Sequence, residues 1–449
     1  MLRMFFRRIR PGQLIVLVFL GIILLGAGLL CLPAAARSGR PTPFLTSLFT
    51  ATSATCVTGL IRVDTGTHWT MFGQVVILLL IQVGGLGFMT IACLFFFALR
   101  RRIGLRQRMV LAQALGSDTY SGIVSLVRNI LRGTAAVEGV GALILFFRFL
   151  PEFGFGRALW YGVFHSVSAF CNAGFDVLAD VDAGGSLCRY ATDPVVNFTI
   201  MALIVIGGLG FAVWGDIRHH RRFSRLSVYS RLVVIITAVL IFGGAGVFAA
   251  LEWNNPNTIG DLTVPQKLMA ALFQSVTLRT AGFATFDQNA LSDVSKAASD
   301  LLMLVGGSSG STAGGVKTAT VGVILLSAWS TARGRTSVHV MKRRIPRQAV
   351  ENASALFILV LLLSGLGAAF LSIADHVSLE NALYETISAL CTVGLTTGIT
   401  SSLGTVSQII LIVLMFFGRL GIMTISVGFM AANRAEERVS YAETKIMIG

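Results

Sequence analysis

Apolar residues gather into eight runs, at positions 14–32, 71–99, 123–150, 194–215, 226–251, 299–330, 349–373 and 406–432, with polar stretches between them. Each is about 20 residues or longer, the length a helix needs to cross the hydrocarbon core of a bilayer. Taken in pairs, the runs bracket four shorter apolar segments that each run into a glycine. The first reads Phe49-Thr50-Ala51-Thr52-Ser53-Ala54-Thr55-Cys56-Val57-Thr58-Gly59. The second passes from Phe164 through Ser168, Ala169 and Cys171-Asn172-Ala173 to Gly174. The third passes from Leu272 through Val276, Thr277 and Arg279-Thr280-Ala281 to Gly282, and the fourth from Tyr384 through Ser388, Ala389 and Cys391-Thr392-Val393 to Gly394. At roughly 12–16 residues these segments are too short to span. They are expected to enter the membrane from outside as re-entrant helices and return as extended backbone, which is tolerated at that depth only where it is buried or lines a watery cavity.

The four glycines recur roughly every 110 residues, the mark of an internal repeat. The pattern predicts an all-α polytopic membrane protein: four M1–P–M2 repeats, with eight transmembrane helices and four re-entrant pore helices, around a pseudo-fourfold pore. The repeats are bounded at 1–108, 109–225, 226–347 and 348–432, and 433–449 is a polar cytoplasmic tail. The second run of each repeat carries an echo of its own: Gly84-Gly85-Leu86-Gly87-Phe88, Gly207-Gly208-Leu209-Gly210-Phe211 and Gly418-Arg419-Leu420-Gly421-Ile422. The third repeat has Gly306-Gly307-Ser308-Ser309-Gly310-Ser311-Thr312-Ala313-Gly314-Gly315 in its place. So many small, flexible residues do not hold a helix, so the sixth run is expected to break into an intramembrane loop at 306–318.

Composition agrees with this reading. Hydrophobic residues make up 54% and charged residues 13% of the 449 residues, and the mean hydropathy is +0.78, values of a membrane protein rather than a soluble fold. The net charge of +15 raises nucleic acid as a partner, but its placement argues against one. Arg3, Arg7, Arg8 and Arg10 precede the first run. Arg100, Arg101, Arg102, Arg106 and Arg108 follow the second, and Arg218, Arg221, Arg222 and Arg225 the fourth. Arg333, Arg335, Lys342, Arg343, Arg344 and Arg347 follow the sixth. These stretches hold more than half of the 36 Lys and Arg and no Asp or Glu. They fall on one side of the membrane, the positive-inside pattern, which places both termini in the cytoplasm. The six cysteines show no metal or redox spacing, and three of them (Cys56, Cys171 and Cys391) share one repeat position, as small buried packing residues do.

The chemistry of the repeat suits a cation. Backbone carbonyls can replace the water of a dehydrating ion without adding fixed charge, and glycine allows the backbone conformations this needs. Re-entrant helices descending from outside aim the negative ends of their dipoles at the pore. Asp64, Asp176 and Asp287 follow three of the glycines, with Asp180 and Asp182 nearby, and would concentrate cations at the mouth. Thr396-Thr397 stands at that place in the fourth repeat, so the acidic ring is incomplete.

With these motifs the chain resembles the Trk/Ktr/HKT superfamily of potassium transporters over essentially its whole length. Only one run precedes the first pore segment, where Trk-type subunits usually carry two further helices, so the resemblance is to the potassium-translocating subunits of Ktr systems. It implies a potassium filter built from Val57, Thr58, Gly59, Asn172, Ala173, Gly174, Thr280, Ala281, Gly282, Thr392, Val393 and Gly394. K+ is then the transported ion, and Na+ is a candidate activator. The resemblance also implies a homodimer in the cell membrane, each protomer with its own pore, gated by a cytoplasmic, nucleotide-binding, KtrA-like ring. It gives the intramembrane loop (Gly306, Gly307, Gly310, Gly314, Gly315 and Lys317) a gating role. Arg419 joins that set on its own chemistry, because an arginine inside a membrane span is a functional candidate by default. A structural partner for it, such as a carboxylate or loop carbonyls, is the alternative.

The remaining features are less specific. Residues 310–318 approach a phosphate-cradling GxxxxGK[ST] loop, but Val316 interrupts the spacing and no strand precedes it. Glu138 and Glu385 are expected to anchor buried hydrogen-bond networks, and Arg279 to brace the third loop. No polar cluster nominates an enzyme. A coupled K+/Na+ or K+/H+ symporter remains the alternative to a channel-like pathway.

Overall fold

The computed structural model describes residues 11–87, 123–178, 185–220, 222–335 and 337–421. The basic clusters at 3–10 and 100–108, Arg221, Asp180, Asp182, Phe88, the ends of the second and eighth runs, and the tail lie outside them. The helices longer than one turn, in order, are α1 (Pro11–Leu30), α2 (Phe44–Cys56), α3 (Met71–Leu86), α4 (Ile123–Phe170), α5 (Pro194–Gly208), α6 (Phe211–His220), α7 (Val228–Glu252) and α8 (Val264–Thr277). They continue as α9 (Asp293–Met303), α10 (Thr318–Ala332), α11 (Arg347–Asp375), α12 (Leu379–Leu390) and α13 (Thr405–Leu420). Among the described residues the only paired strands are a small hairpin, β1 (His339–Val340) with β2 (Arg343–Arg344).

Local chemistry starts these helices where the hydrophobic pattern does. The side chains of Thr70, Asp193, Ser227, Ser292 and Ser378 accept backbone amides at the starts of α3, α5, α7, α9 and α12, satisfying donors that no helix turn can reach. Within α4 the chain turns at Gly154, whose φ is 71°, so one element holds both a long outer helix and the short helix that leads to Gly174. Part of α4, α7 and α11 are long and apolar enough to cross a membrane, as is the bent pair α5–α6 taken together. Ile15–Leu30 of α1, α3, α10 and α13 are shorter apolar helices. Large apolar side chains face outward on the long helices, Phe242 at 71% exposure and Ile373 at 76%, a surface suited to lipid rather than water.

The runs that were expected to be unbroken are interrupted at the echo motif. α3 ends at Gly87 (φ 78°), α5 turns by 94° into α6 at Gly210 (φ 91°), and α13 ends at Gly421 (φ 81°). The break is therefore not confined to the sixth run. The last glycine of each echo takes a left-handed conformation that a helix cannot contain, and hydropathy does not register it. The sixth run breaks as expected, α9 ending at Met303 and α10 beginning at Thr318.

The short helices α2, the end of α4, α8 and α12 pack as a closed cycle. α13 lies against α2, α3 against α4, α5 against α8 and α9 against α12. Each inner helix thus touches the short helix that follows it in the cycle, and the last returns to the first. The first glycine of the echo brings each inner helix equally close to the short helix that precedes it in the chain. A Cβ on Gly84, Gly207 or Gly418 would lie 1.9, 2.0 or 1.9 Å from the carbonyl oxygens of Thr55, Phe170 and Leu390 respectively, near the C-terminal ends of three short helices. Small residues at such crossings let backbones meet.

Candidate functional site

The four glycine loops converge at the centre of that cycle. A Cβ on Gly59 would lie 2.5 Å from the carbonyl oxygen of Ala173, one on Gly174 2.7 Å from that of Ala281, and one on Gly282 2.6 Å from that of Val393. One on Gly394 would lie 2.0 Å from the carbonyl oxygen of Thr58. The order 59, 174, 282, 394 closes on itself, and each glycine faces the carbonyl that precedes the next. All four have positive φ, 97°, 68°, 81° and 92°. The absence of a side chain is required twice over, for the backbone conformation and for the space.

The residue two places before each glycine is also left-handed: Val57 (56°), Asn172 (59°), Thr280 (67°) and Thr392 (54°). This was not legible in the sequence, because Val and Thr are unfavourable there by about 1 kcal/mol or more. Such strain persists only where the surroundings over-determine it, and these four residues are buried. One source of support is a helix hydroxyl. Ser53 and Ser388 accept the amides of Gly59 and Gly394, each at 3.0 Å. Ser168 and Thr277 donate to the carbonyls of Phe175 and Phe283, at 2.7 and 2.6 Å.

Thr277 corrects the alignment of the third copy. The amides of Thr58, Ala173 and Val393 bond to the carbonyls of Ser53, Ser168 and Ser388, and the amide of Ala281 bonds to that of Thr277. Phe273, fully buried like Phe49, Phe164 and Tyr384, fills the place expected of the partly exposed Leu272. The third copy is one residue shorter between helix and glycine, so Phe273 and Thr277 stand where Leu272 and Val276 were expected. Counting back from the glycine hides a deletion that the hydroxyl and the aromatic ring reveal.

Against the residues that precede Gly174 and Gly394 lies the segment from Gly306 to Lys317. The amide of Gly306 bonds to the carbonyl of Val316, closing the loop at its neck, and Ser308 and Thr312 donate their amides to Gly208 and Gly207. Gly310 accepts the amide of Phe211. A Cβ on Gly307 would meet that of Ala313 at 2.5 Å, and one on Gly314 would lie 1.9 Å from the Thr392 hydroxyl. Gly315 has φ 66° and packs on the Cys391 carbonyl. Lys317 turns its ammonium back onto the carbonyls of Ala313 (2.8 Å) and Gly314 (3.4 Å). The Arg419 guanidinium donates to Thr312 O at 2.5 Å, to Gly84 O at 2.6 Å and to Gly85 O at 3.1 Å. It therefore fastens the loop to the first echo, and its partners are carbonyls rather than a carboxylate.

Other singled-out residues lie behind the ring. Glu138 takes the Gln82 amide through both oxygens, at 3.2 and 3.1 Å, beside Cys171. Glu385 takes the Thr400 hydroxyl, which also reaches Thr396. Arg279 is buried, turned to the Thr237 hydroxyl of α7 at 3.4 Å, away from the ring. Of the outer acids, Asp64 caps the one-turn helix Thr65–His68 and Asp287 caps the turn Gln288–Ala290, so local geometry accounts for both.

Asp176 differs, being buried two residues beyond Gly174. Burial and the neighbouring Asp64 carboxylate push its pKa up to about 7. A raised carboxyl is charged above that value and neutral below it. If this charge gathers cations at the mouth, the half-saturating K+ concentration rises roughly threefold as the outer pH falls from about 8 to about 6. Asp176→Asn should flatten the profile at its weaker end, as read by K+ uptake against external pH. A wild-type profile without slope in this range would remove Asp176 from ion capture.

Comparison with known proteins gives the following likenesses. Residues 23–438 match the family model TrkH, described as a cation transport protein. The potassium/sodium uptake protein NtpJ of Enterococcus hirae is 40% identical over 99% of this chain and 98% of its own. The Ktr system potassium uptake protein B of Bacillus subtilis is 38% identical, over 98% and 97%, and its counterpart in Vibrio alginolyticus is 36% identical, over 97% and 94%. The crystal structure of the potassium transporter TrkH from Vibrio parahaemolyticus superposes with a TM-score of 0.74 at 17% identity, over 93% of this chain and 84% of that one.

Proposed function

The chain belongs to the TrkH family of cation transport proteins, and from that premise we propose that it takes up K+ across the cell membrane through the ring at Gly59, Gly174, Gly282 and Gly394. The observation that carries this reading is the ring's cyclic closure. Each loop presents the carbonyl before its glycine to the glycine of the loop before it, so oxygen ligands surround one axis without fixed charge. The short helices end at these loops, and their negative dipole ends favour a cation over an anion. With one glycine per loop, the filter offers fewer dehydrated sites than a long multi-residue signature, and its K+/Na+ discrimination is correspondingly weaker.

In this reading the apolar helices make eight crossings in four M1–P–M2 units, with both termini in the cytoplasm. The loop at 306–318 lies across the pathway below the ring, held by Arg419, and with Lys317 obstructs cation flow. A cytoplasmic nucleotide-binding ring of the KtrA type moves the loop aside. The relatives named as parts of a Ktr system support such a partner. A homodimer and activation by Na+ complete the proposal. A second reading, coupled K+/Na+ symport, draws support from the relative named for both ions.

Separate K+ and Na+ flux measurements in proteoliposomes, with and without the partner, test these readings. K+ flux that needs no Na+ and is raised by the partner supports the gated pathway. Flux of each ion that strictly requires the other supports coupling. Absence of K+ flux under all conditions would reject both.

A further inference from the structure

One residue of the loop touches both the arginine and the ring. Thr312 is fully buried. Its carbonyl accepts Arg419, and its amide bonds to Gly207 O. Its hydroxyl donates to Phe170 O at 2.9 Å and faces the Asn172 side-chain oxygen at 3.4 Å. The amide end of the same Asn172 side chain donates to Arg279 O at 3.4 Å, on the third glycine loop. Asn172 is one of the four left-handed residues, two before Gly174.

We infer that Thr312 is a specificity-positioning residue whose hydroxyl, donating to Phe170 O and facing Asn172 Oδ1, holds the second glycine loop, and through Asn172 the third, in the geometry that favours K+ over Na+. This rests on the filter reading above and goes beyond it, because it makes the obstructing loop part of the filter's support. The physical reasons are two. Asparagine tolerates the left-handed backbone, which leaves its side chain to set how the loops sit, and its neighbours here are the Thr312 hydroxyl on one side and the Arg279 carbonyl on the other. Carbonyl ligands discriminate K+ from Na+ by how many converge and how strongly they are held, so loosening one corner of the ring favours neither ion's binding but erodes the difference between them. On the opposite side of the ring the loop makes a second contact, Gly314 against Thr392. That contact is steric, whereas the Thr312 hydroxyl's ties to the second loop, to Phe170 O and Asn172, can be deleted without touching it.

The test uses purified full-length protein in liposomes, with K+ and Na+ influx measured separately. Thr312→Val and Thr312→Ala, which keep the carbonyl for Arg419 and delete the hydroxyl, are expected to raise the Na+/K+ flux ratio about fivefold, the worth of one neutral hydrogen bond. Thr312→Ser, which retains the hydroxyl, should keep the wild-type ratio. Tyr229→Phe deletes a different tie to the same loop, from Tyr229 Oη to Ser309 O at 3.3 Å, and should leave the ratio unchanged. An unchanged ratio in both hydroxyl-less variants, alongside a shifted ratio in Gly174→Ser, overturns the role of Thr312 and leaves the filter standing. If Gly174→Ser also leaves the ratio unchanged, the filter reading itself fails. A ratio in Thr312→Ser as high as in the valine variant points to packing rather than the hydroxyl and likewise overturns the inference.

Discussion

Gly394→Ala is expected to abolish most K+ uptake while the protein still reaches the membrane. The added methyl would sit 2.0 Å from Thr58 O and 3.0 Å from the Gly59 Cα, at a φ of 92°. Both obstacles are backbone, so no side chain can rotate away. Overpacking of this kind costs about 1–3 kcal/mol, and forcing an L-residue into the left-handed region adds about 1–2 kcal/mol. Together these correspond to a loss of at least roughly thirtyfold. The penalty falls on the one carbonyl contact that closes the first and fourth loops, so uptake suffers more than thermal stability. Gly28→Ala is the control, since a Cβ there meets nothing within 4 Å. Uptake by K+-transport-deficient cells, with membrane abundance measured in parallel, distinguishes the two. Near-normal uptake in Gly394→Ala would falsify the filter assignment.

Arg419→Gln should raise partner-independent K+ flux, by roughly tenfold. The guanidinium makes three bonds to carbonyls from two different segments, Thr312 on the loop and Gly84 and Gly85 on α3. Each charge-assisted bond contributes about 1.5–3 kcal/mol, and glutamine can replace one of them at most. The loop then loses its fastening to α3 and, in the gated reading, a positive charge that opposes cation flow. Arg419→Lys should fall between, since an ammonium keeps the charge but lacks the planar fork that spans both segments. The measurement is flux in liposomes without any cytoplasmic partner, with the melting temperature alongside. A fall in both flux and melting temperature would mean that Arg419 braces the architecture and does not restrain flow.

The contrast between these two residues shows how legible the chain is. Gly394 was visible as a candidate because its segment recurs four times between apolar runs, and repetition is a property of sequence. Arg419 was visible because a charge stands where two echoes have glycine. The chain offers loop carbonyls or a carboxylate as its partner but not which ones, because Gly84 and Thr312 lie more than one hundred residues from it along the chain and every residue has a carbonyl. The same blindness applies to the echo. Its glycines were legible as small residues, but hydropathy is silent on φ, so the ends of α3, α5 and α13 at Gly87, Gly210 and Gly421 were not anticipated. The shortened third copy escaped for a different reason. An alignment on glycine puts the fixed point in the loop, whereas the hydroxyl bonds of Ser53, Ser168, Thr277 and Ser388 put it in the helix.

By itself the sequence determined the apolar, mostly helical class, the four short helical segments, the glycines at their ends and the place of the break between α9 and α10. These follow from hydropathy, length and repetition, which act locally. Only the tertiary structure decided that the four loops close into a ring, that Val57, Asn172, Thr280 and Thr392 bear left-handed backbone, and that Thr312 and Arg419 join the loop to the rest. The physical reason is that these features rest on backbone carbonyls and amides meeting across distant segments. Such groups are the same in every residue, so no pattern of side chains announces where they meet.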